Sequence, residues 1–514
     1  MASIFQDKGR IVFPRWRDFK STSNSGDLKP FLKAPVRIFT KDNLEDKIQT
    51  WKDEPSLSSA TELVNSAYNL GLTEHSQDAA QFVLENKKSI PIGLRKIIHN
   101  TLNIGVIEET PFQHLAFDRN MVNKYFHQQI AECRKRLTNY PYNPIMWVEL
   151  GRLHAIVNNI GKAERVLLIA LHLAPENRYV LRSLARFYIH SKQPEKALYY
   201  LNRNPITKHD PWLLSTQISV NKVVKNTASR YVKNGFQLLD SSKFTSFDKN
   251  ELASSLGTLE LNNGVLKSAR KLFNQSLINP NDNSVAQASW ASRHMSGLLI
   301  QEKSFELPCA FEARALDFFA QGKYKEALDE SIKWLLDEPF ASRPARLSSH
   351  LASTYVSDIP LASELARFAI QNSPDTFDLI NNLAYSLCLE NKADEAEEVY
   401  SRVNPSLLNE RENVAYIATN GLILYRKNQF DDGKTLYQEA ISKAKEMNDD
   451  YLYRLALVNF YREEVRAYPE IKTEMEPLIK NLKAQSEEKQ IQVELEKLEG
   501  ALSGKNSKGP FTFI

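Results

Sequence analysis

A small residue returns about every 34 positions along most of this chain, and that interval restricts the fold more than any other feature. Ala163 to Ala197 is 34 residues, Ala327 to Ala362 is 35 and Ala362 to Ala396 is 34. Other steps drift. Ala197 to Ala228 is 31, Ala228 to Ala269 is 41 and Ala396 to Gly433 is 37. Ala269 to Ala327 is 58, which leaves room for a distorted copy around Trp290. A period of this length marks stacked structural repeats. In the clearest unit Trp147, Leu150 and His154 share one helix face at i, i+3, i+7. Gly151 lets a second helix come close, and Ala163, Leu167 and Ala170 form the facing stripe until Pro175 stops it. Two such short helices cannot bury their stripes alone, so copies must stack.

Further copies follow. One holds Leu181, Leu184, Ala185, Tyr188, Ala197 and Leu201; a late one holds Ile380, Leu383, Ala384, Leu387, Ala396 and Tyr400. An early copy is visible at Leu63, Ala67, Leu70, Ala79, Val83 and Pro91. From Trp147 to Pro175 the residues resemble the tetratricopeptide pattern W-x2-L-G-x2-Y…A-x3-F…P, with His154 at the Tyr slot and Leu167 at the Phe slot. The resemblance covers roughly residues 57–447. It implies an all-α, right-handed α-solenoid of stacked helix-turn-helix repeats with an irregular N-terminal arm.

The expected division is a basic, aromatic-rich arm over 1–40 and a helical region with degenerate repeats over 41–143. Central repeats follow over 144–307 and C-terminal repeats over 308–447. Capping helices over 448–502 and a flexible tail over 503–514 complete the chain. Helices are expected over Asp42–Trp51, Tyr451–Tyr468 and Met475–Leu502.

The chain has a net charge of +4, but the charge is unevenly placed. Residues 1–40 carry eight Lys/Arg and three acids, so 8 − 3 = +5 lies there and the rest sums to 4 − 5 = −1. No apolar run is long enough for a membrane span, and no secretory apolar stretch opens the chain. Cys133, Cys309 and Cys388 stand apart, without a CxxC pair, and read as packing residues of a cytoplasmic protein. No GxxxxGK[ST], GxGxxG, HExxH or GxSxG is present. The chain is therefore read as non-catalytic, with no cofactor, no metal and no membrane partner.

The resemblance implies that the first helix of each pair lines a concave groove. The residues it places there are Val148, Arg152, Arg182, Arg186, Leu347, Leu351, Asn381 and Tyr385, with Asn382 beside them. Arg178, Arg182 and Arg186 also form a ridge at i, i+4, i+8, suited to an anionic partner. The two-Lys, two-Asn and Arg carboxylate clamp of chaperone-binding members is not found. In the arm, Arg10, Phe13, Arg15, Trp16, Arg17 and Phe19 interleave cations and aromatics. They are expected either to cap the first helices or to dock a partner. The leading function is a scaffold or adaptor that binds a partner protein through an acidic or extended segment. Two alternatives are a nucleic-acid-linked subunit whose arm pairs phosphates, and a structural subunit of a larger assembly.

Overall fold

The computed structural model describes residues 10–18, 41–86, 92–102, 104, 119–224, 229–372, 376–486 and 488–502. All regular structure among these residues is helical. The region before the clear repeats holds α1 (Lys41–Asp53), α2 (Leu57–Leu70), α3 (Gln77–Asn86), α4 (Ile92–Leu102) and α5 (Arg119–Asn139).

The repeat is plainest at α6 (Pro144–Ile156) and α7 (Ile160–Leu173). Asn143 caps α6 by accepting from the amides of Ile145 and Met146, and Pro144 sits in the first turn, where its missing amide costs nothing. Gly151 is the contact point of the pair. A Cβ there would lie 2.7 Å from the Leu167 side chain. The turn between the two helices passes through Asn158 in the left-handed region, at φ 57. The same device closes the next pair, α8 (Arg178–His190) and α9 (Pro194–Arg203), at Lys192.

The stack continues with α10 (Pro211–Val223) and α11 (Ser229–Asp240), α12 (Ser246–Asn262) and α13 (Leu266–Ser276), then α14 (Asp282–Ser292). After α14 the expected distorted copy appears as irregular chain with one 3-10 turn at Glu302–Ser304, in place of a second α-helix. Then come α15 (Phe311–Ala320) and α16 (Tyr324–Asp337), α17 (Ser342–His350) and α18 (Ile359–Asn372), α19 (Phe377–Leu389) and α20 (Ala393–Tyr400). A π turn over Leu351–Val356 extends α17 and ends at Ser357, φ 63. The last clear pair is α21 (Glu410–Arg426) and α22 (Phe430–Glu446). Ala228 and the tail over 503–514 lie outside the described residues.

The α21–α22 pair has the closest backbone approach. A Cβ on Gly433 would lie 3.0 Å from the Gly421 carbonyl oxygen and 2.7 Å from the Tyr425 ring. A backbone oxygen cannot step aside as a side chain can. Gly433→Ala is therefore expected to destabilise the fold by roughly 1–3 kcal/mol through overpacking. Urea unfolding checks this, and an unchanged midpoint would show that the helices can separate freely.

The C-terminal helices differ from the expectation in one respect. α23 (Asp450–Ala467) matches, but the single helix expected over Met475–Leu502 is two, α24 (Lys472–Ala484) and α25 (Lys489–Leu502). The chain turns back so that Met475, Ile479 and Leu482 meet Ile491, Leu495 and Leu498 over Val458 and Val465. One straight helix would have left one of those apolar sets without a partner.

The solenoid is curled strongly enough that distant repeats share a core. One cluster joins residues of α5 to α10 with residues of α15 to α19, and Trp16 of the arm belongs to it. The Asn279 side chain also reaches the Gly71 carbonyl beside α2, and the Lys497 ammonium reaches the Thr354 carbonyl.

Candidate functional site

Arg10–Asp18 has no regular secondary structure, so its backbone groups must find partners elsewhere. Side chains of α14 provide two of them. Asn283 Nδ2 donates to the Phe13 carbonyl at 2.9 Å, and Gln287 Nε2 donates to the Arg10 carbonyl at 3.0 Å. Trp16 is fully buried between two repeats. Its ring meets Phe187 of α8 at 6.4 Å and Phe340, just past α16, at 5.2 Å, both edge-on. The segment thus runs through the inner face of the curl and ties α8 to α14, α15 and α16.

Three arginines of the segment meet four acids of the wall. Arg10 grips Glu312 of α15 with two nitrogens, Nε to Oε1 at 2.9 Å and Nη2 to Oε2 at 2.7 Å. It also donates to Gln287 at 2.6 Å and Asn283 at 3.0 Å. Arg15 donates to Asp282, Glu312 and Glu338 at 3.1, 2.6 and 2.8 Å. Arg17 pairs with Asp282 at 2.5 Å and with Asp337. Three of the eight cations of residues 1–40, Arg10, Arg15 and Arg17, find their counter-charges here, on acids of the wall. Within residues 10–18 the segment packs against α8 and α14 to α16 and not over the first helices; the rest of the arm lies outside the described residues. An extended segment with alternating Trp and Arg matches a groove that offers aromatic edges and carboxylates.

The charges hold one another in place. Burial alone would raise the Glu312 carboxyl, but Arg10, Arg343 and Arg15 keep its pKa well below the usual carboxylate range. Asp282 is likewise held low against burial by Arg17 and Arg15, and Glu338 by Arg15 and Arg186. Burial works against the Arg15 cation too, yet Glu338, Glu312 and Asp282 outweigh it and raise its pKa.

The expected Arg ridge is mostly interior. Arg178 pairs with Asp210 at 2.6 Å, and Arg182 with Glu251 at 2.9 Å. Glu251 also accepts from Asn283 at 3.0 Å, which joins the ridge to the arm network. These two guanidiniums face the Trp212 ring at 5.5 and 4.7 Å. They are buried pairs of the repeat stack, and the sequence pattern missed this because Asp210 and Glu251 lie 32 and 69 residues downstream. Arg186 differs. It lies over Phe340 at 4.9 Å, with no hydrogen bond or ion pair among the described residues.

The remaining groove candidates are also interior. Arg152 is buried and pairs with Glu149, and reaches Asp18 of the arm at 4.0 Å. Asn381 accepts from Tyr400 at 2.8 Å and from Thr419 at 2.9 Å. Asn382 donates to Ser349 at 3.0 Å, and the Tyr385 hydroxyl accepts from Arg462 at 2.8 Å. Asn381 and Asn382 bond to neighbouring repeats, while Tyr385 reaches past α21 and α22 to α23; Asn381 and Tyr385 also line a small open pocket between α19, α21, α22 and α23. Phe19 lies outside the described residues. Among the described residues no group of His, Cys, Asp and Glu has the arrangement of a metal site, and no helix is long and apolar enough to cross a membrane. Burial pushes the Cys133 and Cys388 thiols up to about 11 and about 12.

Three histidines give the fold a pH dependence. Burial lowers His154 and His190 to about 4 and His350 to about 3. Unfolded, each protonates below about 6.5. The unfolded chain then binds more protons than the folded one, so stability falls as pH drops from about 6.5 towards 4. Asp337 opposes this, because burial pushes its carboxyl up to about 6 against Arg17, so it adds stability as pH falls through 6. Asp329 is raised as well, but the three histidines, joined by the depressed Glu312, Asp282 and Glu338, outweigh these two carboxyls and leave a net loss. The melting temperature should fall steadily from pH 7 to pH 4.5, and a level or rising profile would contradict the burial of these rings.

The geometry defines a tetratricopeptide-like helical-repeat solenoid whose inner groove holds an N-terminal segment of the same chain. No family model matches the chain, and no curated protein matches it. Among solved structures, the yeast Tom70 crystal structure superposes with a TM-score of 0.29 at 14% identity, covering 76% of this chain and 94% of that one. The APC/C hetero-tetramer Cut9-Hcn1 superposes with a TM-score of 0.32 at 12% identity, covering 89% and 92%. Superpositions this loose carry no functional argument, and the repeat architecture rests on the helix pairing itself.

Proposed function

We propose that this chain is a non-catalytic protein-interaction scaffold, working in the cytoplasm, in which the arm sets the curvature of the platform that partners meet. The observation that supports this reading is the arm itself. A solenoid gains binding surface from curvature, and here Trp16 and three arginines tie repeats far apart in sequence across the inner face. Partner segments would engage the outer faces and the parts of the inner face that the arm leaves open.

The nucleic-acid reading finds no support in residues 10–18, because Arg10, Arg15 and Arg17 already spend their charge on wall carboxylates. Affinity purification of the full-length chain from its own cells tests the scaffold reading. Recovery of a stoichiometric protein partner is expected, and its capture should weaken in a Trp16→Ala variant that remains folded. Recovery of the chain alone, or of nucleic acid whose binding falls steeply with salt, would contradict it.

A further inference from the structure

A cavity of about 390 Å³ remains between the arm and the groove wall. Phe13 and Pro14 of the arm form one side, and Ile160, Ile189 and Trp334 form much of the other. The polar part of the lining is strongly cationic. Arg10, Arg15, Arg186, Lys192 and Arg343 line it, against Glu338 as the carboxylate among the described lining residues.

Most of these charges are already matched. Arg10 and Arg15 are held by Glu312 and Asp282, and Glu338 is taken by Arg15 at 2.8 Å and the Trp334 indole at 3.2 Å. Arg343 pairs with Glu312 at 3.2 Å and lies over the Trp334 ring at 5.7 Å. Arg186 is half-buried on the Phe340 face and has no ion pair among the described residues. His190 packs edge-on against the same ring at 5.3 Å and cannot supply an anion. Desolvation lowers the Arg186 pKa, and Arg15 and Arg343 lower it further while only Glu338 raises it. A guanidinium removed from water whose nearest carboxylate, Glu338, is already paired to Arg15 gains most from a ligand anion, which it can grip with two nitrogens.

We propose that this cavity is a binding site for an organic anion: a carboxylate or phosphate monoester, seated on Arg186 and Arg343, attached to an apolar body packed between Phe13, Ile189 and Trp334. Its size and its apolar walls with few convergent polar groups are those of a ligand site. The site is composite. The arm supplies one wall and two repeats supply the rest, so it exists only while the arm is in the groove. The proposal is independent of the scaffold reading, since the anion can arrive as a free small molecule or as a group on a peptide.

Calorimetric titration of the full-length chain with phenyl phosphate, benzoate and phenol tests it. Phenyl phosphate and benzoate should bind and phenol should not, with affinity falling as salt rises. Arg186→Gln should weaken phenyl phosphate binding about tenfold or more, the loss expected of a charge-assisted contact. It should lower the melting temperature of the free protein only slightly, because it removes the Phe340 contact and the attraction of Glu338 but breaks no hydrogen bond or ion pair among the described residues. Arg343→Gln should weaken binding in the same direction, and serves if Arg186→Gln folds poorly. A short peptide ending in Phe with a free carboxylate, compared with its amide, separates the sources. Tighter binding than benzoate, lost in the amide, means a partner protein presents the group, whereas parity with benzoate means a free small molecule does. Equal binding of phenol and phenyl phosphate, or unchanged affinity in both arginine variants, would overturn the proposal.

Discussion

Trp16→Ala is expected to cost about 3–5 kcal/mol of stability, the range for emptying a fully buried aromatic site. Few side chains outside the repeats themselves would cost as much. Trp16 is completely buried, and its two aromatic neighbours, Phe187 and Phe340, come from repeats about 150 residues apart. Removing the indole leaves a void that neither helix can close alone, because each is fixed by its own partner helix. Trp16→Phe gives a sharper test. The indole N–H has no hydrogen-bond partner among the described residues, so Phe keeps the edge-on contacts and loses no polar interaction. It should cost well under half of the Ala change. Urea unfolding of both variants reads the difference. Equal losses for Ala and Phe would mean that the contact with the aromatic pair is not what holds the arm.

Glu312→Ala is the second large effect, again about 3–5 kcal/mol, because it breaks a buried charge pair from one side. Glu312 is 1% exposed and accepts from Arg10 and Arg15, with Arg343 at 3.2 Å. Without it those guanidiniums stay buried with too few anions. Glu312→Gln should recover part of the loss, since the amide oxygen still accepts one hydrogen bond while the charge is gone. Both variants should also release the arm, which near-ultraviolet circular dichroism of Trp16 would report. The sign with pH follows from the depressed carboxyl. The stability from this pair is complete above the ordinary Glu value near 4.5 and fades as pH falls through the lower folded value. A Glu312→Ala protein as stable as the parent would show that the arm is not anchored through this carboxylate.

The repeat was legible because its signal is local. Gly151 against Leu167 and Ala163 on the facing stripe are contacts within one helix pair, so spacing alone exposes them. The turn device was not read from the sequence, although Asn158, Lys192, Ser357, Asn391 and Asn428 all sit in the left-handed region. Asn recurs among them because it tolerates that backbone better than most residues, but with Lys192 and Ser357 at equivalent turns the device leaves no single residue type at a fixed spacing. The groove was the least legible part. Arg178, Arg182 and Arg186 share a helix face as the spacing says, but spacing cannot show that Asp210 and Glu251 pair with two of them while the third has only the attraction of Glu338, which Arg15 already holds. The arm posed the same problem at longer range. Arg10 and Glu312 are 302 residues apart, and only the curl of the whole solenoid brings them together. Whether Arg10, Arg15 and Arg17 cap the fold or dock a partner cannot be read from the sequence, because their counter-charges are spread from α14 to the end of α16.

Native-state trypsin cleavage, followed by mass spectrometry of the N-terminal fragments, tests the arm's place in the groove most directly. Trypsin must grip an extended Arg side chain, and Arg10, Arg15 and Arg17 are each held by buried carboxylates. The bonds after these three residues should survive in the folded protein long after exposed sites such as Lys135 and Lys208 are cut, and should become labile in Glu312→Ala. Cleavage after Arg15 and Arg17 as fast as in the urea-unfolded chain, while the repeats stay intact, would contradict the account.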